Sequence, residues 1–261
     1  QAVHAGFRFI DTACQPRHYN ESGVGEGWSS AAQELGLPRD DFYLQTKYTS
    51  YGGQDPNNIP YDPEAPLEEQ VQTSLAVSLK NLKTDYLDTW VMHSPMDTME
   101  DTMIVWRAME AFVDQGKVRR LGMSNSNYLQ FTQLYEQARI KPSVLQNRFH
   151  AETRFDTKLR HFCQDHDIWY QSFWTLSANI DALRHNKHIH DKAEKHGLTP
   201  QTIMFAFLMS TGYITPLSGT TSKLHMAEDV AIMERIQGGE VFFDSVQELR
   251  EFSKHLEMPD L

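Results

Sequence analysis

Short apolar runs alternate with longer amphipathic stretches along this chain. The clearest run, 86–92, is bounded by polar residues and predicts a buried strand of a parallel sheet. The stretch 67–82 carries its apolar residues at helical spacing and predicts an amphipathic helix. Applied to the whole chain, the pattern predicts seven strands at 7–12, 41–47, 86–92, 118–124, 143–149, 168–174 and 214–219.

Helices are predicted between these strands by periodicity and by capping residues. Gly6, Gly36 and Gly116 each follow a helical pattern and predict its end, whereas Thr98 is a suitable N-cap. The segment 48–66 is rich in Gly, Asn, Pro and Asp and predicts a long loop, a length typical of loops that cover a site. The predicted helices are 1–5, 21–35, 67–82, 98–115, 128–139, 156–165, 189–196, 200–210, 222–234 and 243–256.

The alternation of strands and helices indicates a parallel sheet covered by helices. A chain of 261 residues fits one α/β barrel, which takes about 250 residues. We therefore predict a single domain over 1–261, a (β/α)8 TIM-type barrel whose first strand and most of whose first helix are missing from this chain. The rival is a doubly wound open sheet, which normally carries a glycine-rich turn after its first strand. Gly23 and Gly25 lie at a helix start instead, which disfavours the rival.

Composition narrows the class of partner. The net charge is −11 and no basic cluster is present, so nucleic acid is not expected as a partner. No apolar run approaches the ~18 residues of a membrane span. Cys14 and Cys163 are far apart in sequence, which favours two free thiols in the cytoplasm over a single disulfide. We expect a cytoplasmic protein that acts on a small molecule, and the sequence does not predict its oligomeric state.

Three predicted strands end in an ionisable residue. These residues are Asp11, Lys47 and His93. Because barrel enzymes keep their chemistry at the carboxyl ends of the strands, we expect the three side chains to meet at one mouth. The structural alternatives are a buried ion pair between Asp11 and Lys47 and a core histidine bonded to backbone.

Seven sequence motifs, in order along the chain, together suggest a family. They are GFRFIDTA, HYNESGVGEG, LQTK, YLDTWVMHSP, GMSNSN, VLQN and LSGTTSKLHMAED. Over essentially its whole length the chain resembles the aldo-keto reductase family. That resemblance implies a (β/α)8 barrel that reduces an aldehyde or ketone with NADPH, or sometimes NADH, and without a metal.

The resemblance implies four catalytic residues: Asp11, Tyr19, Lys47 and His93. The chemistry agrees, because hydride addition to a carbonyl creates an alkoxide that needs a proton. A tyrosine with a pKa of about 10 is a poor acid–base group near neutrality, and a neighbouring ammonium lowers that pKa. We expect Lys47 to lower the Tyr19 pKa, Asp11 to hold Lys47, and His93 to orient or polarise the carbonyl oxygen. The alternative for Tyr19 is an exposed loop tyrosine, because the preceding connection, 12–18, is longer than in most members.

The resemblance also implies a cofactor site. Ser124, Asn125 and Gln146 match the positions that bind the nicotinamide carboxamide, and Phe173 matches a stacking position, with core packing as its alternative. The nucleotide segment comprises Ser218, Gly219, Thr220, Thr221, Ser222, His225, Glu228 and Asp229. Two fixed cations of the family are missing here: the common Pro-Lys-Ser is replaced by Ser218-Gly219-Thr220, and the arginine that usually binds the 2′-phosphate is matched by His225. We expect NADP, with NAD possible, since arginine is the usual phosphate partner.

Two other functions stay open at this stage. The Tyr19, Lys47 and His93 set is also suited to cofactor-independent proton transfer, in an isomerase, dehydratase or cyclase. A non-catalytic partner subunit is a third possibility that nothing in the chain favours. The histidines at 185, 188 and 190 match no ligand spacing and predict a solvated helix start, so we expect no metal.

Overall fold

A computed structural model describes residues 1–258 and has an α/β architecture. Its residues form two compact units, Gln1–Val144 and a second that begins at Leu145. The predicted alternation of helices with parallel strands is confirmed.

The first unit holds four parallel strands whose neighbours follow chain order. The strands are β1 (Phe9–Asp11), β2 (Tyr43–Tyr48), β3 (Leu87–Met92) and β4 (Val118–Ser124). The helices are α1 (Ala2–Ala5), α2 (Glu21–Leu35), α3 (Leu67–Asn81), α4 (Met99–Asp114) and α5 (Tyr128–Gln137). All six residues of β3 are buried, as expected for a strand covered on both faces.

The register of β1 on β2 sets up the chemistry of this unit. Asp11 lies opposite Gln45, and Lys47 lies opposite Val91 of β3. His93 directly follows β3, and its backbone N–H donates to the carbonyl of Tyr48 at 2.9 Å. The carboxyl ends of three neighbouring strands therefore deliver Asp11, Lys47 and His93 to one edge of the sheet.

Gly25 of the HYNESGVGEG motif lies where two helices approach closely. A Cβ atom at Gly25 would lie 1.9 Å from the carbonyl oxygen of Asn81, at the end of α3. Trp28, one turn further along α2, donates its indole N–H to the carbonyl of Leu82 at 2.9 Å. Gly25 therefore permits close packing of α2 against the end of α3.

The second unit holds the remaining strands. They are β5 (Val144–Arg148), which begins at the boundary, β6 (Trp169–Phe173) and β7 (Ile214–Pro216). The helices are α6 (Thr157–Asp165), α7 (Ile180–His185), α8 (Lys187–His196), α9 (Pro200–Ser210), α10 (Lys223–Gln237) and α11 (Val246–His255). Strands β6 and β7 are parallel, with Ser172 opposite Pro216. Helix α9 packs seven consecutive buried residues, 202–208, into the core of this unit.

The elements predicted from the sequence are found with small shifts at their ends, and two features were not predicted. Helix α7 has no predicted counterpart, because its six residues are too short for a periodic signal. Before α6, Arg154, Phe155 and Asp156 adopt left-handed backbone angles, so this helix begins at Thr157 instead of 156. Non-glycine residues rarely adopt this conformation, and no sequence pattern announces it.

Candidate active site

A buried ion pair lies at the centre of the site. Lys47 is fully buried, and its Nζ donates to Asp11 Oδ2 at 2.6 Å and to the carbonyl of Thr12 at 2.8 Å. Gln45 donates its side-chain amide to the other Asp11 oxygen at 2.7 Å. The carboxylate is therefore fixed from two sides, and the register of β1 on β2 explains both contacts.

Tyr19 and His93 lie against this pair. The Nζ of Lys47 is 5.2 Å from the ring centre of Tyr19. The Tyr19 ring meets the His93 ring edge-on, with 5.8 Å between their centres. All four side chains that the sequence nominated for catalysis are thus brought together within the first unit.

The long connection from β1 to Tyr19 folds as a compact turn. The backbone N–H groups of His18 and Tyr19 both donate to the carbonyl of Gln15, at 3.1 and 3.0 Å. Cys14 N–H donates to the carbonyl of Lys47, and the Gln15 side chain donates to the carbonyl of Gly53 at 2.7 Å. These bonds tie the turn to the end of β2. The longer connection therefore leaves Tyr19 beside Lys47.

His93 is held in its neutral form. Burial, then the positive charge of Lys47 and of His18, lowers the pKa of His93 to about 3. Its Nδ1 pairs with the hydroxyl of Thr49 at 2.6 Å. The neutral ring carries one N–H and one lone pair. The hydrogen bond at Nδ1 decides whether Nε2 carries the proton or the lone pair. The sequence reasoning missed Thr49, although its position two residues after Lys47 placed it beside the predicted site.

The pKa of Tyr19 moves in the direction opposite to expectation. Burial, then the negative charge of Asp11, raises it to about 12. The expected lowering by Lys47 is wrong for this geometry, because burial disfavours the phenolate and the ammonium is already engaged by a carboxylate that repels it. Tyr19 is therefore a neutral, protonated phenol at physiological pH.

A second buried carboxylate, also missed, lies close to Tyr19. Glu21 accepts hydrogen bonds from the Thr46 hydroxyl at 2.5 Å and from the Asn81 amide at 3.0 Å. Together with Cys14 and Tyr19 it lines a cavity of about 360 Å³, within the range of small-molecule pockets. Burial, then the charge of Glu21, raises the pKa of the Cys14 thiol to about 12, so this thiol is a poor nucleophile. Cys14 and Cys163 are both free, as predicted.

Ser124 and Asn125 follow β4 in the same unit. Asn125 has a positive φ of 51°, and its amide donates to the carbonyl of His93 at 2.9 Å and to the Ser124 hydroxyl at 3.0 Å. Asn125 therefore braces the ends of β3 and β4. The predicted carboxamide contacts of both residues stay predictions.

The second unit carries the other predicted cofactor residues. Gln146 donates its side-chain amide to the side-chain oxygen of Gln171 at 2.9 Å. Phe173 lies two residues after Gln171 on β6, hence on the same face of the strand, and is partly exposed. A partly exposed aromatic face beside a buried amide pair suits a planar ligand.

The nucleotide segment joins β7 to α10. The Ser218 hydroxyl donates to Asp229 Oδ2 at 2.6 Å, and the Thr220 hydroxyl pairs with His225 Nδ1 at 3.4 Å. Ser222 caps α10, a helix of 15 residues, whose N-terminal N–H groups favour phosphate. Gly219 has open space where a side chain would lie. Hydroxyls, a long helix start and an open glycine fit a dinucleotide, and Thr221 and Glu228 lie in the same segment.

Within residues 1–258, no group of three or more His, Cys, Asp or Glu side chains is arranged to hold a metal ion. None of the helices described is both long and apolar enough to cross a bilayer.

Known proteins resemble this chain over most of its length. The glyoxal reductase of Bacillus subtilis is 29% identical over 218 residues, which cover 82% of this chain and 69% of that protein. The structure of an aldo/keto reductase from Brucella melitensis is 26% identical, covers 97% of this chain and 86% of its own, and superposes with a TM-score of 0.75.

A third protein, an aldo-keto reductase of Bombyx mori solved in complex with NADP, shares the fold with a TM-score of 0.76. It is 22% identical and covers 97% of this chain and 80% of its own. The model of the aldo/keto reductase family matches residues 1–251. The chain belongs to the aldo/keto reductase family.

Proposed function

We propose that this protein is an NAD(P)H-dependent oxidoreductase that reduces an aldehyde or ketone to an alcohol, with Tyr19 as proton donor. The observation that supports this most is the buried Asp11–Lys47 pair, with the Tyr19 and His93 rings against it. A structural ion pair alone needs no tyrosine and no neutral histidine beside it. The proposal includes the (β/α)8 barrel of the family, and residues 1–258 hold seven strands.

The four side chains have distinct tasks in this reaction. The cofactor, when bound, supplies a hydride to the carbonyl carbon. Tyr19 then donates its phenolic proton to the alkoxide oxygen. His93 donates a hydrogen bond to the same oxygen from Nε2, which requires that the Thr49 hydroxyl donates to Nδ1. Lys47, fixed by Asp11, stabilises the negative charge that develops on the oxygens.

The raised pKa of Tyr19 keeps on the phenol the proton that reduction needs. At about 12 the phenol stays protonated at physiological pH, yet it is still a stronger acid than an aliphatic alcohol. Proton transfer to the alkoxide therefore runs downhill. The reverse reaction, alcohol oxidation, needs the phenolate as base, and little phenolate is present near neutrality.

The cofactor residues implied by the family resemblance belong to the proposal. Ser124, Asn125, Gln146 and Phe173 match the positions that hold the nicotinamide in the family, and we assign them that role here. The segment 218–222 with His225, Glu228 and Asp229 is proposed to hold the adenosine half. NADP remains the favoured cofactor, supported by the complex of the Bombyx mori relative. NAD is the alternative because Gly219 and His225 replace two fixed cations.

The test is a set of variants assayed with NADPH or NADH and glyoxal, the carbonyl named for the Bacillus subtilis relative. Tyr19→Phe removes the proton and keeps the ring, and we expect kcat to fall about 10²–10⁴-fold. Tyr135→Phe, near the C-terminal end of α5, is the matched control and is expected to have no effect.

Two results would contradict the proposal. Nearly full activity of Tyr19→Phe would show that another group donates the proton. Turnover of a carbonyl compound without consumption of nucleotide, followed by NAD(P)H absorbance, would favour the cofactor-independent isomerase, dehydratase or cyclase.

A further inference from the structure

The carboxyl ends of three strands lie side by side in the second unit. Phe149, just after β5, donates its backbone N–H to the carbonyl of Phe173 at the end of β6. Leu217, just after β7, donates in the same way to Ser172. Neighbouring strands lie about 4.8 Å apart. The residues that follow β6 are therefore flanked by the end of β5 on one side and by the start of the 218–222 segment on the other.

Arg148 and Trp174 occupy this edge. The guanidinium carbon of Arg148 lies 4.5 Å from the ring centre of Trp174. Arg148 is exposed, and strand alternation places it on the same face of β5 as Gln146. Trp174 is 56% exposed, although it is one of the largest apolar side chains of the protein. The pair is thus a cation stacked on an aromatic ring and open to solvent.

The position of Trp174 is enforced by its backbone. Its φ is 56°, a left-handed value that bulky residues rarely adopt and that concentrates at functional sites. The Asn179 side chain fixes the turn by donating to the carbonyls of Phe149 at 2.7 Å and Thr175 at 2.9 Å. These bonds fix the backbone on both sides of Trp174, whose indole lies against the Arg148 guanidinium.

Within residues 1–258 no carboxylate pairs with Arg148, and its guanidinium contacts the indole of Trp174. A guanidinium that is ordered by stacking and not neutralised is prepared for an external anion, and its planar donors suit phosphate.

We propose that Arg148, positioned by Trp174, binds the diphosphate of the dinucleotide cofactor. The inference rests on the proposed function, because it takes Gln146 and Phe173 as the nicotinamide side and the 218–229 segment as the adenosine side. A dinucleotide that joins these two ends must pass the carboxyl end of β6, and its diphosphate lies midway along it. Arg148 thereby supplies a cation that Gly219 and His225 do not.

The experiment measures affinity for three nucleotides that share only the ADP-ribose core: NADPH, NADH and ADP-ribose. Arg148→Gln is expected to weaken all three by a similar factor of about tenfold or more, because a charge-assisted hydrogen bond is lost. Arg148→Lys keeps the charge but not the planar stack and is expected to lose less. Arg107→Gln, which changes an exposed arginine in the middle of α4, is the matched control and should bind as the wild type does.

A second variant tests the positioning role of Trp174. Trp174→Leu keeps an apolar side chain but removes the aromatic face under the guanidinium. We expect it to weaken the three nucleotides by a smaller common factor, and to add little when combined with Arg148→Gln. A loss that is fully additive in the double variant would refute the positioning by Trp174.

Three results would overturn the diphosphate site. The first is an Arg148→Gln affinity within twofold of the wild type for all three nucleotides. The second is a loss of affinity confined to NADPH, which would assign Arg148 to the 2′-phosphate. The third is an increase in KM for acidic carbonyl substrates with cofactor affinity unchanged.

Failure of the reductase proposal gives a different set of results. Wild-type protein that binds ADP-ribose through Arg148 but oxidises no NADPH with any carbonyl refutes the reductase alone, whereas wild-type protein that binds no nucleotide refutes both.

Discussion

The ion-pair site of the first unit and the nucleotide segment of the second are built on different principles. Lys47 is fully buried, and its charge is met by Asp11 and by a backbone carbonyl inside the protein. Ser218 and His225 are exposed, and they hold their own segment in shape through Asp229 and Thr220. In the first site the buried charges are paired within the protein before a ligand binds. The second fixes only the shape of a loop, and in our proposals the phosphate contacts come from helix N–H groups, from hydroxyls and from Arg148.

This difference predicts whether a mutation changes stability, activity or cofactor affinity. In the ion-pair site a lost group leaves a buried charge without compensation, so stability and chemistry are expected to fall together. In the nucleotide segment water can replace a lost group, so affinity is expected to change with little effect on stability. Four predictions test this contrast.

The largest effect is expected when the ion pair is broken from its acidic side. Asp11→Asn leaves the buried Lys47 ammonium without its anion, and we expect the free energy of unfolding to fall by about 3–5 kcal/mol. Urea unfolding at pH 7 measures it. The double variant Asp11→Asn with Lys47→Met should recover part of the loss, because it removes the unpaired charge. A single variant as stable as the wild type would show that the pair is not buried in solution.

The second prediction concerns acid. The unfolded chain protonates His93 near pH 6.5, but the folded protein keeps it neutral down to about pH 3. As pH falls between these values the unfolded state binds the additional proton, so stability is lost. We expect about 3 kcal/mol less stability at pH 4 from this residue. Urea unfolding at pH 7 and at pH 4, with His93→Gln as the reference, isolates the contribution of His93. An equal pH dependence of stability in the variant would contradict the prediction.

The ends of strands were the part of the site that sequence could predict. Asp11, Lys47 and His93 follow apolar runs, and a parallel sheet brings such positions together whatever the details of packing. Thr49 and Glu21 were missed because their roles depend on side-chain geometry. Glu21 in particular sits at a helix start, where a solvated acid is the usual expectation.

The direction of the Tyr19 pKa was also out of reach of the sequence. It depends on burial and on whether Lys47 or Asp11 dominates at the phenol, and a list of residue types does not rank these effects. The left-handed Trp174 is a similar case. Its backbone angle follows from the turn that Asn179 holds, which no local propensity encodes.

Thr49 gives the third prediction. Thr49→Val removes the hydroxyl that sets the His93 tautomer and keeps the shape of the side chain. We expect kcat to fall about tenfold, the scale of one hydrogen bond of about 1–1.5 kcal/mol. Thr49→Ser, which retains the hydroxyl, should keep most of the activity. A Thr49→Val enzyme with unchanged kcat would mean that the His93 tautomer is set elsewhere.

The smallest effect is expected in the nucleotide segment, and it sharpens the contrast most directly. Ser218→Ala removes the donor to Asp229, whose carboxylate has a pKa raised mainly by burial. Because water can take the place of the lost hydroxyl at this exposed turn, we expect stability to change by less than about 0.5 kcal/mol. The loop becomes less ordered, so NADPH affinity should fall a few-fold while kcat at saturating cofactor stays constant. Fluorescence titration, steady-state kinetics and urea unfolding measure the three quantities on one preparation. A large loss of stability would show that the segment is part of the core of its unit and would remove the distinction between the two sites.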